Sequence, residues 1–143
     1  MPRAGYPILT NIRTADSGDL PALAQRDRHI APRELEHSVR LGRVYVAEER
    51  GNLAGWLRWN LFWDNTPFMN LLFVLDGLRG RGLGRALTAH WEERMREAGY
   101  GAVMTSTQAG EYAQHFYAKL GYEAVGGFLP SGEEYELILY KKL

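Results

Sequence analysis

Apolar residues recur along this chain at two different spacings, and the change from one to the other marks out its elements. Ile8 and Ile12 stand among polar neighbours and predict a first strand over Ile8–Arg13. Asp16-Ser17-Gly18-Asp19 then offers N-cap side chains to a helix with Leu20, Leu23 and Ala24 on one face. Pro32 suits the first turn of a second helix, where its missing N–H is harmless. Leu35 and Val39 give that helix an i, i+4 stripe, and Gly42 supplies its stop. Val44–Ala47 reads as a strand and Arg50-Gly51-Asn52 as a turn. Leu53–Trp63 reads as a longer strand with Leu53, Leu57, Leu61 and Trp63 on one face. Asp64-Asn65-Thr66-Pro67 makes the next turn, and Phe68–Leu75 is another strand. Strands that follow one another through tight turns pair antiparallel.

After Leu75 the period lengthens. A Gly/Arg loop leads into a helix with Leu83, Leu87, Trp91 and Met95 in a stripe, widened by Ala86 and Ala98 and closed by Gly99. Ala102–Thr107 is a strand, and Glu111–Leu120 a helix that turns Ala113, Phe116, Tyr117 and Leu120 inward. Tyr122–Phe128 and Tyr135–Tyr140 are two closing strands separated by Pro130-Ser131-Gly132. The order β-α-α-β-β-β-α-β-α-β-β predicts a mixed, mostly antiparallel α/β sheet with helices on both faces. The strand–helix–strand crossover from Phe68–Leu75 to Ala102–Thr107 predicts one parallel or near-parallel, splayed pair within it. The 143 residues are expected to form a single domain, 1–143, because domains usually run ~100–200 residues.

Composition narrows the function classes. Hydrophobic residues at 45% and charged residues at 24% suit an ordinary core rather than disorder. The 17 Lys+Arg balance 17 Asp+Glu, so there is no basic excess to neutralise nucleic-acid phosphates. The absence of cysteine excludes a disulfide scaffold, a thiolate metal site and a cysteine nucleophile. His29, His37, His90 and His115 show no H-x-x-x-H spacing, so no metal is expected. The apolar run Leu71–Leu75 falls far short of the ~20 residues that span a bilayer. Met1–Thr10 has no long apolar run either, and the expectation is a soluble, cytoplasmic chain without membrane contact.

The segment Arg79-Gly80-Arg81-Gly82-Leu83-Gly84 lies between a strand and a helix. Its glycines allow positive φ and close backbone approach to a ligand. The following helix presents free N–H groups and its positive dipole end. With Arg79, Arg81 and Arg85 this describes a pyrophosphate site; a solvated basic turn is the plainer reading. A Walker A loop needs a Gly-Lys-Ser/Thr ending, which is absent. A dinucleotide loop needs a third glycine where Leu87 stands, and an acid ~20 residues on that 102–107 do not supply.

The loop instead reads R-x-x-G-x-G followed by Arg85-Ala86-Leu87. The segment Val74–Leu87 (VLDGLRGRGLGRAL) resembles the acetyl-CoA-binding signature of the GNAT superfamily of N-acetyltransferases. Ala113–Tyr122 (AQHFYAKLGY) is similar to that family's second motif, A-x-x-x-Y-x-K-x-G-F/Y. The resemblance implies acetyl-CoA as co-substrate, and a primary amine of a small molecule, peptide or protein as acceptor. It implies that backbone groups of Phe73, Val74 and Leu75, at a splayed strand end, bond the pantetheine arm. It implies that Arg79, Gly80, Arg81, Gly82, Leu83 and Gly84 hold the pyrophosphate, with Arg85 close by. The main-chain N–H of Leu75, or one beside it, would polarise the thioester carbonyl. Tyr117 matches the tyrosine that protonates the leaving thiolate; the plainer reading is a packed core tyrosine.

Two departures from the family pattern stand out. A glutamate often serves as general base near the start of the strand, where this chain has Phe68 and, further on, Asn70. An asparagine of the second motif is replaced by Gly110, with Gln108 two positions earlier. Asp64, Glu111 and His115 are substitute bases to weigh, beside a water wire or an acceptor amine already neutral. Trp56, Trp59, Trp63, Phe62 and Phe68 are sheet core, an acceptor wall or a homodimer contact. A non-catalytic acyl-CoA-binding module on the same fold is the alternative to an enzyme.

Overall fold

In the computed structural model residues 10–143 are described, and Ile8 of the first predicted strand lies outside them. The elements are β1 (Thr10–Thr14), a 3-10 turn (Ser17–Asp19), α1 (Leu20–Arg26), α2 (Pro32–Arg40), β2 (Val44–Glu49), β3 (Asn52–Phe62), β4 (Thr66–Val74), α3 (Leu83–Glu97), β5 (Ala102–Gln108), α4 (Ala113–Lys119), β6 (Glu123–Phe128) and β7 (Glu136–Lys142). Seven strands form one sheet in the order β1-β2-β3-β4-β5-β7-β6. The β1–β2, β2–β3, β5–β7 and β6–β7 ladders are antiparallel. The β4–β5 ladder is parallel and covers only Phe68↔Met104 and Met69↔Thr105, although β4 runs on to Val74. This is the mixed sheet with one parallel, early-diverging pair that the sequence predicts.

The described residues fall into two compact units. One holds the chain up to Trp59 with Leu71–His90; the other holds Asn60–Asn70 with Trp91–Leu143.

In the first unit, Asp16 opens the helical region. Its carboxylate accepts from Gly18 N–H at 2.9 Å, and Asp19 accepts from Asp16 N–H at 2.8 Å, a reciprocal capping box. Arg13 clamps this corner with bonds of 2.8 Å to both oxygens of Asp19 and 3.1 Å to Glu48. The guanidinium keeps the Asp19 carboxyl below its usual range. Leu23, Leu35, Val39, Val44, Val46 and Trp56 form the core, with Leu71, Phe73 and Leu75 packed against it. Ala24, predicted on the inward face, is exposed, because α1 is short and only Leu23 along it is fully buried.

The β2–β3 hairpin turns through Arg50 and Gly51 at φ of 55° and 81°. Two successive positive φ values match the right-handed strand twist. Further along, the register slips between Ala47 and Glu48, which leaves Ala54 as an extra residue on β3. Next to it Gly55 has no space for a side chain: a Cβ there lies 2.7 Å from the Phe73 carbonyl oxygen. The glycine lets β3 and β4 approach closely where β4 ends.

In the second unit, Met69, Trp91, Met95, Val103, Tyr117, Tyr122 and Leu139 are buried. Glu92 is buried with them and satisfied twice, accepting from Tyr122 and from Lys141, each at 2.8 Å. Trp63 departs from its predicted place. It adopts φ of 53°, lies in the β3–β4 turn and is 80% exposed. Trp63 and Asp64 both take the left-handed conformation, so the turn begins one residue early and Thr66 and Pro67 join β4. Ala98 is likewise exposed and does not widen the α3 stripe.

Candidate acyl-CoA site

The Arg79–Gly84 segment is built by its glycines. Gly80 and Gly82 sit at φ of 79° and 83°, a region that side chains adopt only with strain. A Cβ at either position meets no protein atom within 4 Å. The two residues therefore line open space, and the conformation, not packing, requires glycine there. The first α3 hydrogen bond runs from Ala86 N–H to the Gly82 carbonyl at 2.9 Å. The amides of Leu83, Gly84 and Arg85 precede it and have no carbonyl behind them in the helix. Open space, free amides and a helix N-terminus fit an anion such as a pyrophosphate.

The three arginines are placed differently. Arg79 Nε donates to the Val74 carbonyl at 2.9 Å, and its guanidinium lies 5.3 Å from the Phe73 ring centroid. It also reaches exposed Asp76 at 3.5 Å. Arg81 NH1 donates to Glu49 at 2.7 Å. Arg85 is exposed on the first turn of α3 and makes no ion pair among the described residues.

At the strand end the geometry distinguishes the Leu75 amide from the one beside it. The Leu75 N–H donates to the Ala54 carbonyl at 2.9 Å, so it is committed to β3. Amides alternate sides along a strand. The neighbouring Val74 N–H therefore points away from β3, on the edge where the β4–β5 ladder has already stopped.

Tyr117 is the buried residue of α4, with 7% exposure. Its ring meets Phe116 and Tyr122 edge-on at centroid distances of 5.1 and 5.6 Å. Burial pushes its pKa up to about 12, with the Thr105 side chain acting in the opposite direction. Thr105 Oγ1 donates to the Met69 carbonyl at 2.9 Å. Sequence reasoning did not single out Thr105. The signal was present: β5 alternates strictly, and its inward positions hold Thr105 and Thr107.

The proposed substitute bases are not gathered into a buried group. Asp64 is exposed in the β3–β4 turn, and Glu111 is exposed ahead of α4. His115 is exposed with its ring 5.4 Å from that of Tyr112. Gln108 instead meets Glu133 of the β6–β7 loop at 3.4 Å, and Glu134 comes within 3.5 Å of the Cβ position of Gly110. Those loop carboxylates follow the turn Pro130-Ser131-Gly132 and carry no sequence signature. Among the described residues no cluster of metal ligands occurs, and no helix is long and apolar enough to cross a membrane.

Residues 9–122 match the model of the Acetyltransferase (GNAT) family. The chain is 32% identical over 115 residues to blasticidin-S acetyltransferase of Streptomyces morookaense, covering 80% of this chain and 82% of that protein. Among solved structures it resembles Ard1 of Thermoplasma volcanium, with a TM-score of 0.81 at 17% identity over 94% of this chain and 97% of that one. It also resembles a ribosomal-protein-alanine N-acetyltransferase of Brucella melitensis, with a TM-score of 0.78 at 25% identity over 93% and 99%. The PaiA N-acetyltransferase of Thermoplasma acidophilum, solved with coenzyme A, gives a TM-score of 0.81 at 15% identity over 95% and 100%.

Proposed function

We propose, for a chain that belongs to the acetyltransferase (GNAT) family, that the Arg79–Gly84 loop binds the pyrophosphate of acetyl-CoA and that Tyr117 protonates the departing thiolate. The chain is an acetyl-CoA-dependent N-acetyltransferase, and acetyl transfer to an amine is its reaction. The observation that carries the site assignment is the pair Gly80 and Gly82, left-handed and lining open space ahead of unpaired helix amides.

The residues divide the work as follows. Main-chain N–H groups of the loop and of the first α3 turn receive the phosphate oxygens. Arg79 and Arg85 add charge. The Val74 N–H, on the free edge of β4, is the donor for the pantetheine arm or for the thioester carbonyl, in place of Leu75. Phe73 and Leu75 turn into the core and fix that edge. Tyr117 holds a proton at its hydroxyl through the physiological range and releases it to sulfur as the C–S bond breaks. No carboxylate stands at the usual position on β4, so the acceptor arrives as the free amine, and the rate rises with pH toward the acceptor's own pKa. A single catalytic domain over 1–143, working in the cytoplasm on small-molecule amines, is the setting we assign. Blasticidin S, named in the relative from Streptomyces, is the first acceptor to test.

Gly82→Val tests the loop. A β-branched residue at φ of 83° is strained by about 1–3 kcal/mol, and its methyls project into the open space. Coenzyme A should raise the melting temperature of the parent and lose at least ~10-fold in affinity for the variant. Equal stabilisation of both would move the site elsewhere. A salt titration checks the charges. Affinity for CoA should fall with ionic strength, while affinity for a dephosphorylated pantetheine thioester should barely respond. Parallel slopes for the two ligands would leave the amides alone with the phosphates.

A further inference from the structure

Arg81 sits between two glycines, Gly80 and Gly82, which are the most permissive residues of the loop. A loop of that composition does not keep one shape by its own backbone preferences. At Arg81 the tie is the 2.7 Å ion pair to Glu49, beside the contacts of Arg79 with the Val74 carbonyl and Asp76. Glu49 is well placed to be an anchor. It is the last residue of β2, it pairs with Asn52 across the tight Arg50-Gly51 turn, and its side chain is only 14% exposed. The residue before it, Glu48, points to the other face and is taken by Arg13. Alternation along the strand thus sends two adjacent carboxylates to two different arginines.

We infer that Glu49 is a positioning residue for the phosphate loop: it holds Arg81 and so fixes the Gly80–Gly82 backbone in the shape whose amides receive the pyrophosphate. Arg81 then acts through Glu49 and not on the phosphates, unlike Arg79 and Arg85. A partly shielded pair is weakened by salt less than an exposed one, so the loop stays organised at ordinary ionic strength. Preorganisation of this kind raises affinity because the ordering has been done before the ligand arrives. The inference rests on the reading that the loop binds CoA, and it adds a residue more than thirty positions away in sequence.

The experiment is CoA binding by calorimetry to the parent, Glu49→Gln, Arg81→Gln, the double Gln variant and the charge-swapped Glu49→Arg/Arg81→Glu, with the melting temperature of each unliganded protein recorded. Positioning predicts that each single variant loses affinity by roughly 5- to 10-fold, that the double loses no more than either single, and that the swap recovers to within about 2-fold of the parent. It also predicts that Arg81→Gln leaves the salt dependence of CoA affinity unchanged, because no phosphate contact is lost. If Arg81 grips phosphate instead, Glu49→Gln binds as well as the parent or better, Arg81→Gln flattens the salt dependence, and the swap binds worst. That pattern overturns the inference while leaving CoA on the loop. A parent that does not bind CoA overturns the site reading itself and the inference with it. Should a Glu49 variant fail to fold, the salt dependence of Arg81→Gln decides alone.

Discussion

Replacing Asp27 with alanine should destabilise the protein by about 3–5 kcal/mol, the range for removing one partner of a buried ion pair. Asp27 closes the chain after α1, and its carboxylate is fully buried; the Arg58 side chain on β3 is only 6% exposed. Arg58 Nε donates to Oδ2 at 2.6 Å and NH2 to Oδ1 at 3.3 Å. The same carboxylate accepts from Trp56 Nε1 at 3.0 Å and from the His29 amide at 3.2 Å. Alanine leaves a buried guanidinium unpaired and strips two further donors of their acceptor. Small proteins have only about 5–15 kcal/mol of stability to lose, so about a fifth or more should go. Urea unfolding measures it, and the midpoint should move with little change in slope, since the surface exposed on unfolding is nearly the same. The apolar double variant Asp27→Leu/Arg58→Met separates charge from hydrogen bonding. Removing both ions relieves the unpaired charge, yet Trp56 Nε1 and the His29 amide still lack an acceptor, at about 1–3 kcal/mol each. Recovery should therefore be partial. A loss below about 1 kcal/mol for Asp27→Ala would place the pair with solvated surface bridges.

That carboxylate also shows what a sequence hides. Periodicity gives the order of the α-helices and strands here, because the helices carry apolar stripes and several of the turns a glycine or proline. Pro32 and Gly42 mark the two ends of α2, and Gly99 follows α3. The loop was legible because glycine and arginine at fixed spacing have few other uses. Asp27 and Glu92 were not legible, since nothing local distinguishes a carboxylate destined for burial from one on the surface. Their partners, Arg58 and Lys141, are 31 and 49 residues away in sequence. The tie from Arg81 to Glu49 depends on the same kind of long-range meeting. The choice between the Leu75 amide and the one beside it is also long-range: the Leu75 N–H is taken by the Ala54 carbonyl, and no pattern of apolar residues records that pairing. Trp63 failed as a strand residue because two consecutive left-handed residues, neither of them glycine, end β3.

Tyr117→Phe should lower kcat by roughly 10²-fold, the usual contribution of a positioned acid. The substitution keeps the ring and its contacts with Phe116 and Tyr122 and removes one proton. That proton is held in reserve by its surroundings. Burial raises the pKa to about 12, so the hydroxyl stays protonated wherever the enzyme is assayed. On the proposed reading, turnover moves the proton from the hydroxyl to the thiolate sulfur. Removing the hydroxyl should change stability by no more than about 1 kcal/mol, at most about 4 °C in melting temperature for a chain of this size. Assays well below that temperature keep the two effects apart. A Tyr117→Phe variant as fast as the parent in single-turnover acetyl transfer would assign the residue to packing. The pH profile is a second, independent reading. Activity should climb with pH as the acceptor amine loses its proton, with no fall due to Tyr117 until the pH approaches about 12. Stability behaves oppositely over the same alkaline range. The unfolded tyrosine gives up its proton near pH ~10 and the folded one near 12, so between them the native state binds more protons and unfolding becomes easier as the pH rises. That alkaline slope should shrink in Tyr117→Phe, whereas an unchanged slope would mean that the hydroxyl is not buried in solution.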